Sequence, residues 1–315
     1  MSPFRRLSFA STAATFLLVA IGGLVRATKS GLGCGDDWPR CAGRLLPALE
    51  NRAVMIEFSH RLMASVVVVL IGLLAFIAWR RHRDAPALVW GATIAFGLVL
   101  FQAVLGAVVV WLELAAISVV LHLATAMALV AVLIYVSISA WASEHPEPVS
   151  SDARLARRAR LAAAGVLGVI LIGSYVTGRG AGYVFPDWPL MDGRLVPDLS
   201  YEPAALHFLH RVLAAIVGVF VAFVAMSVIR APETSRLASR FAHTALGLFV
   251  IQILIGAANV WTYPGRVNES FVTLHLLTAA LIWGSVVALA VVASPSVVAR
   301  RAGVEVPQRP AYDAG

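Results

Sequence analysis

The sequence predicts an all-α membrane protein whose eight transmembrane helices form two tandem, parallel-topology four-helix bundles. Three observations predict this fold. Apolar residues make up 60% of the chain and charged residues 13%, with a mean hydropathy of +0.84, a composition outside that of soluble domains. The apolar residues gather in eight stretches that are long enough to cross a bilayer. The chain also repeats itself internally, at a spacing of about 150 residues.

The repeat is clearest in the segment DDWPRCAGRLLP at 36–47, which returns as PDWPLMDGRLVP at 186–197. The segment EFSHR at 57–61 returns as HFLHR at 207–211. Matched pairs continue downstream as Gln102 with Gln252, Gly106 with Gly256, Trp111 with Trp261 and, after a short slip in register, His122 with His275.

The apolar stretches begin near Leu7, Ala53, Ala87, Ala115, Leu161, Ala204, Ala238 and Phe271. The first follows two arginines and invites comparison with a cleavable signal peptide. Its apolar run is long for such a peptide, and the repeat needs a helix there, so we interpret it as a membrane span. The chain then divides into a four-helix repeat at 1–142, a cytoplasmic linker at 143–160, a second repeat at 161–296 and a polar, disordered cytoplasmic tail at 297–315.

One set of connections between the stretches carries most of the arginine, in short blocks beside the helix ends. The positive-inside rule makes these connections cytoplasmic. We therefore expect a multi-pass protein of the cell (plasma) membrane with both termini in the cytoplasm. The net charge of +8 then reflects topology, and no nucleic-acid partner is expected. Because each repeat has an even number of helices, both halves cross the bilayer in the same sense.

Four histidines lie inside the predicted spans, each a few residues from the outer end: His60, His122, His210 and His275. Ionisable side chains are costly in a bilayer and usually mark a functional site. Two imidazoles at one depth in each half are suited to ligate haem iron from both sides. The alternative, hydrogen bonding between helices, explains less well why the pair occurs twice. No CxxCH motif is present, so any haem is held without a covalent bond.

The two halves differ next to these histidines, where Glu57 in the first half corresponds to His207 in the second. The i, i+3 spacing places Glu57 on the same helix face as His60. A carboxylate in low dielectric can accept a proton or stabilise a developing positive charge. This difference predicts a reacting site in the first half and a fixed cofactor in the second. The other interpretation is a glutamate favoured by the dipole at a helix start.

Cys34 and Cys41 are the only cysteines, and both fall in the first outer loop. Outside the cytoplasm such a pair usually forms a disulfide. Val184 and Met191 replace them in the second half. A structural bond and a redox role both remain open at this point.

The run RATKSGLGC at 26–34, followed by DWPRC at 37–41, GRLLP at 43–47 and EFSHR at 57–61, resembles the haem A synthase family, in its bacterial type with an outer-loop cysteine pair. The resemblance extends over essentially the whole chain. The sequence departs from the family pattern at two places, the GDD step at 35–37 and Arg40. Neither place includes a candidate ligand.

The resemblance implies that the protein oxidises the C8 methyl group of haem O to a formyl group through a hydroxymethyl stage. The product, haem A, serves haem-copper respiratory oxidases, so their assembly and a haem O synthase are the implied partners. By residue match, His60 and His122 hold the substrate haem and Glu57 assists its oxidation. The resemblance further implies that His210 and His275 ligate a haem b cofactor.

Arg61 and Arg211 directly follow two of the candidate ligands. A buried arginine needs an anionic partner, which makes both candidates for pairing with haem propionates.

Two other functions use the same features. A bis-haem b membrane cytochrome that relays electrons between quinone and an outer acceptor needs the four histidines but neither Glu57 nor the difference between halves. A parallel-repeat transporter places polar groups near the midplane, whereas these histidines lie near the outer ends.

Overall fold

The structure is a computed structural model that describes residues 1–48, 51–145, 152–231, 234–263 and 266–294. These residues form eight α-helices and one short 3-10 helix, without a β-strand. The helices are α1 (Pro3–Ala27), α2 (Arg52–Arg81), α3 (Pro86–Trp111), α4 (Ala116–Glu144), α5 (Ala153–Gly178), α6 (Glu202–Ile229), α7 (Arg236–Trp261) and α8 (Arg266–Val292), with the 3-10 helix at Ala181–Tyr183 between α5 and α6.

All eight α-helices are long and apolar enough to cross a membrane, which confirms the predicted fold class of a multi-pass all-α membrane protein. Their boundaries follow local capping. Asn51 accepts the backbone N–H of Ala53 at the start of α2, and Asp152 accepts two backbone N–H groups at the start of α5, as N-cap side chains do. The basic segment after Asp152 is therefore helical. For this reason α5 begins eight residues before its apolar stretch at Leu161.

The helices pack as two rings of four. Helices α1 to α4 contact one another in sequence and α4 closes on α1, and helices α5 to α8 repeat this pattern. The rings meet through α1 with α8, α4 with α5 and α4 with α8. Helix α8 is the most enclosed, with 61% of its most apolar window buried against 17–33% for the other seven. The order of contacts agrees with two tandem bundles.

Small residues bring the helices close together, as is typical of membrane bundles. A side-chain carbon built on Gly91 of α3 would lie 2.6 Å from Val136 of α4. One built on Gly23 of α1 would lie 3.2 Å from Leu276 of α8. Close packing of this kind holds the helix faces that carry the candidate site.

The connections α1–α2, α3–α4, α5–α6 and α7–α8 lie at one end of the bundle, which we call the loop face. Here Arg52 at the start of α2 pairs with Glu269 near the start of α8, so an ion pair also joins the two halves. The predicted tail at 297–315 and residues 146–151 of the predicted linker lie outside the described residues.

Candidate functional site

The two long connections of the loop face have the same backbone structure. The N–H of Cys41 donates to the carbonyl of Arg44 at 2.8 Å, and the N–H of Met191 donates to Arg194 at the same distance. Ala42 and Asp192 both have positive φ, and the Trp-Pro peptide bond is cis in both loops. The sequence repeat therefore corresponds to a structural repeat.

An aspartate organises each of these turns. The Asp37 carboxylate accepts the N–H of Gly43 at 2.9 Å, and the Asp187 carboxylate accepts the N–H of Gly193 at 2.8 Å. The Gly193 N–H holds the pKa of Asp187 below its usual value, because the bond favours the ionised carboxylate. Both glycines have positive φ, which a residue without Cβ adopts at little cost.

The loops differ in what fastens them. In the first, Cys34 and Cys41 form a disulfide, which confirms the predicted pairing. In the second, Met191 is buried with Phe185 and Ala204 in a small apolar cluster against which Val184 packs. Apolar contact thus replaces the covalent bond at the equivalent position, and only the first half carries a group that can be reduced.

Each candidate ligand histidine packs its ring against a glycine of the preceding helix. In each case, the glycine leaves room for the Cε1 edge of the ring, where a side-chain carbon would come into close contact. The contacts, given as the distance from a Cβ built on the glycine to Cε1 of the ring, pair Gly22 with His60 (3.2 Å), Gly106 with His122 (3.3 Å), Gly173 with His210 (2.8 Å) and Gly256 with His275 (3.2 Å).

This packing determines which ring nitrogen is available. All four Nδ1 atoms are buried without a well-formed hydrogen bond to the described residues, although the backbone of Val169 approaches His210. The rings themselves are only partly buried. Their accessible edge is therefore the one that carries Nε2, the nitrogen with which a histidine can bind iron.

Within each half the two candidate ligand histidines lie near each other, His60 near His122 and His210 near His275. Across the described residues, no three His, Cys, Asp or Glu side chains converge on a metal-ion site. Two facing imidazoles suit a metal whose remaining ligands come from a macrocycle, and the donor set therefore fits haem iron.

Beside His60, the carboxylate of Glu57 accepts hydrogen bonds at both of its oxygens. It is 3% exposed. One oxygen accepts the N–H of Cys34 at 2.8 Å, and the other accepts Nε of Arg61 at 3.1 Å and also a terminal nitrogen of the same guanidinium. The third nitrogen of Arg61 donates to the carbonyls of Asp37 and Arg40. Glu57 therefore connects the disulfide loop to the helix that carries His60.

The second half repeats this arrangement with a neutral acceptor. Nε of Arg211 donates to Nε2 of His207 at 2.9 Å, and its terminal nitrogens donate to the carbonyls of Asp187 and Leu190. Arg211 also lies over the ring of Phe185. The first half thus has a buried ion pair where the second has an arginine–histidine hydrogen bond.

Sequence reasoning singled out the histidines and Glu57 but not the glycines on which the rings pack, although Gly106 and Gly256 belong to the repeat. It also assigned Arg61 and Arg211 to haem propionates. In the structure both guanidinium groups bind loop carbonyls and the side chain four residues earlier in the same helix. Propionate pairing by these two arginines stays a prediction.

The sequence matches one family profile and several curated proteins that share one name. The profile of the COX15-CtaA family, described as cytochrome oxidase assembly protein, matches residues 5–287. The chain is 31% identical over 297 residues to "Heme A synthase" of Symbiobacterium thermophilum, covering 90% of this chain and 93% of the relative. It is 29% identical over 282 residues to "Heme A synthase" of Shouchella clausii, covering 88% and 92%. A third relative of the same name, from Caulobacter vibrioides, is 28% identical over 330 residues, covering 87% and 91%.

Proposed function

Because the chain belongs to the COX15-CtaA family of cytochrome oxidase assembly proteins, we propose that it is a haem A synthase, an oxidoreductase that acts on haem O. Its membership confirms the resemblance seen in the sequence. The reaction converts the C8 methyl group of haem O to a formyl group and gives haem A. Relatives named "Heme A synthase" that align along most of the chain support this assignment.

One observation about the molecule carries the proposal. Two pairs of histidines occur at equivalent places in the two halves, and in all four rings the Nδ1 edge is buried against a glycine while the Nε2 edge remains accessible. His207 also has an unpaired Nδ1, but its Nε2 accepts a hydrogen bond from Arg211. The four candidate ligands use neither ring nitrogen in a well-formed hydrogen bond to the described residues, which is unusual for histidines that only stabilise helix packing. We assign His60 and His122 to the substrate haem, and His210 and His275 to a haem b.

The haem b, when bound, supplies one-electron transfer. The chain's own contribution in the second half is to orient two imidazoles and to exclude water from their Nδ1 edges. Arg211 donates both to His207 on the helix that carries His210 and to a carbonyl of the second loop. These hydrogen bonds hold that helix and the loop together. This half has the character of a fixed cofactor site.

In the first half we propose Glu57 as the catalytic residue. Its two oxygens accept three protein hydrogen bonds, which fix the position of the carboxylate. A carboxylate held in this way stabilises positive charge that develops nearby without changing its own position. The oxygen that binds Cys34 accepts one hydrogen bond only and keeps a free lone pair, so Glu57 can also accept a proton without losing these contacts.

We propose the domain division of the sequence analysis, with the substrate site in 1–142 and the cofactor site in 161–296. The loop face then lies outside the plasma membrane and both termini lie in the cytoplasm, as the basic blocks predict. A haem O synthase supplies the substrate from within the bilayer, and assembly of haem-copper oxidases consumes the product.

Extraction and identification of the haems that copurify with the protein test this function. A haem A synthase yields haem b together with haem O or haem A. Haem b alone would indicate a bis-haem b cytochrome that relays electrons, and the absence of haem would indicate a transporter. The difference between Glu57 and His207 favours the synthase over the cytochrome, because an electron relay has no use for it.

A further inference from the structure

Arg26 is a cation near the candidate substrate site that has no partner among the residues the structure describes. It lies in the last turn of α1 and is partly buried. Among the described residues its side chain makes no hydrogen bond and no ion pair, whereas Arg61 donates four hydrogen bonds to three protein acceptors. Burial of an unpaired guanidinium is costly, and such a group usually serves an anion.

The position of Arg26 relates it to both candidate ligands of the first half. It follows Gly22 by four residues, so the two share a helix face, and Gly22 is the residue on which the ring of His60 packs. A Cβ built on Gly178 would lie 3.5 Å from the Nη2 atom of Arg26 and 2.7 Å from the Cβ of Ala116. The guanidinium therefore lies where α5 ends and α4, the helix of His122, begins.

This location is on the loop-face side of the haem ligands. Four residues separate Gly22 from Arg26 and six separate Ala116 from His122, which correspond to about 6 Å and 9 Å along a helix axis. A porphyrin held by His60 and His122 has its two propionates on one edge. That edge turns toward the nearer aqueous surface, because charged groups are costly inside the bilayer.

The second half has no equivalent cation. In the matched part of α5, where Gly173 corresponds to Gly22, the residue in register with Arg26 is Thr177, which is exposed, while both halves keep the arginine after the first histidine. A contact between Arg26 and a ligand would therefore occur only in the first half, and it would contribute to the chemical difference between the two halves.

We propose that Arg26 binds a propionate carboxylate of the substrate porphyrin in the first half, an assignment that rests on the proposed function. The bond is charge-assisted, and the planar guanidinium can hold a carboxylate through two parallel hydrogen bonds. Arg26 orients the porphyrin about the His60–His122 axis. Arg61 meanwhile keeps Glu57 and the disulfide loop in place.

The test uses two porphyrins that differ only in the anion. Ferric protoporphyrin IX and its dimethyl ester are titrated into the purified full-length protein in nanodiscs, made in cells that produce no haem O so that the substrate site is free, and the Soret band reports binding. Arg26→Gln should bind the diacid about 10- to 100-fold more weakly, as expected for loss of one charge-assisted bond. Its affinity for the ester should equal that of the unaltered protein.

Two further variants sharpen the result. Arg26→Lys keeps the charge and should recover part of the affinity for the diacid, which also guards against misfolding of Arg26→Gln. Arg179→Gln removes another arginine of the loop face, one that pairs with Glu202, and should leave both affinities unchanged.

The results that would overturn the assignment are distinct. Equal weakening of diacid and ester would mean that Arg26 only shapes the site. Unchanged diacid affinity in Arg26→Gln, with thermal stability that rises on adding phosphatidylglycerol only when Arg26 is present, would identify a lipid phosphate as its partner. Failure of the unaltered protein to bind either porphyrin would overturn the proposed function itself and this assignment with it.

Discussion

Arg61 and Glu57 form a buried ion pair one helical turn apart on α2, beneath the loop that contains the disulfide. The same guanidinium donates to two carbonyls of that loop, and the carboxylate accepts the N–H of Cys34. These three hydrogen bonds to the loop, together with the ion pair itself, fix the loop, the helix and the acidic group with respect to one another. In the second half, Arg211 donates to the neutral ring of His207, which stands where Glu57 stands in the first half.

Removal of Arg61 should therefore destabilise the protein more than removal of Arg211. Arg61→Ala leaves the Glu57 carboxylate buried without its cation, a change that typically costs about 3–5 kcal/mol. Arg211→Ala leaves a neutral imidazole and should cost about 1–3 kcal/mol. Unfolding of both variants in the same detergent compares these values. An equal decrease in the free energy of unfolding would show that the ion pair stabilises the protein no more than the arginine–histidine hydrogen bond does.

The second-half histidines should be required for a resident haem. His210→Ala and His275→Ala each remove one proposed axial ligand, so either change should abolish the low-spin haem b spectrum of the purified protein. Both variants should still insert into the membrane at normal levels, because the helices themselves are unaltered. Visible spectra that stay unchanged in both variants would contradict the ligand assignment.

Gly173 should be needed for the position of the His210 ring. A methyl group there would lie 2.8 Å from Cε1, too close for the ring to keep its place. Gly173→Ala should weaken haem b binding by about 10- to 100-fold, as loss of support around a metal ligand typically does. Spectral titration of the haem-depleted protein measures the change.

The control for this substitution lies in the same helix. Nothing lies within 4 Å of a Cβ built on Gly168, so Gly168→Ala should leave haem b binding intact and stabilise the helix by up to about 1 kcal/mol. The same loss of haem b binding in both variants would point to an effect of glycine on the helix and not on His210.

The cysteines should resist alkylation until a reductant is added. Cys34 and Cys41 are bonded to each other and are the only cysteines of the chain, so mass spectrometry after labelling reads them without interference. We expect no label in the untreated protein and two labels after reduction. Labelling without reductant would contradict the bond.

The fold was largely predictable because its signals are local and repeated. Length and hydropathy identify the spans, the depth of the histidines in their spans pairs His60 with His122, and the repeat gives the second pair, His210 with His275. The start of α5 was less predictable, since the basic residues after Asp152 lie in a helix that continues beyond the apolar stretch. Hydropathy detects the apolar part of a helix and not its capped end.

The partners of polar side chains were beyond sequence reasoning. Glu57 binds a backbone N–H, and Arg61 and Arg211 bind backbone carbonyls. These groups occur at every residue, and their direction depends on the folded loop. For the same reason, Arg26 could not be distinguished from other arginines of the loop face before the acceptors around each one were known.

Substitution of Glu57 tests the central claim, that the first half contains a reacting site and the second a fixed cofactor. Glu57→Gln keeps the shape and the acceptor oxygen but removes the charge, which should slow oxidation on the order of a hundredfold or more. Haem extracts of cells that produce the variant should contain haem O or its hydroxymethyl intermediate in place of haem A, with haem b binding intact. The matched change His207→Gln should be much milder. Normal production of haem A by Glu57→Gln would contradict the account and favour an electron-transfer cytochrome.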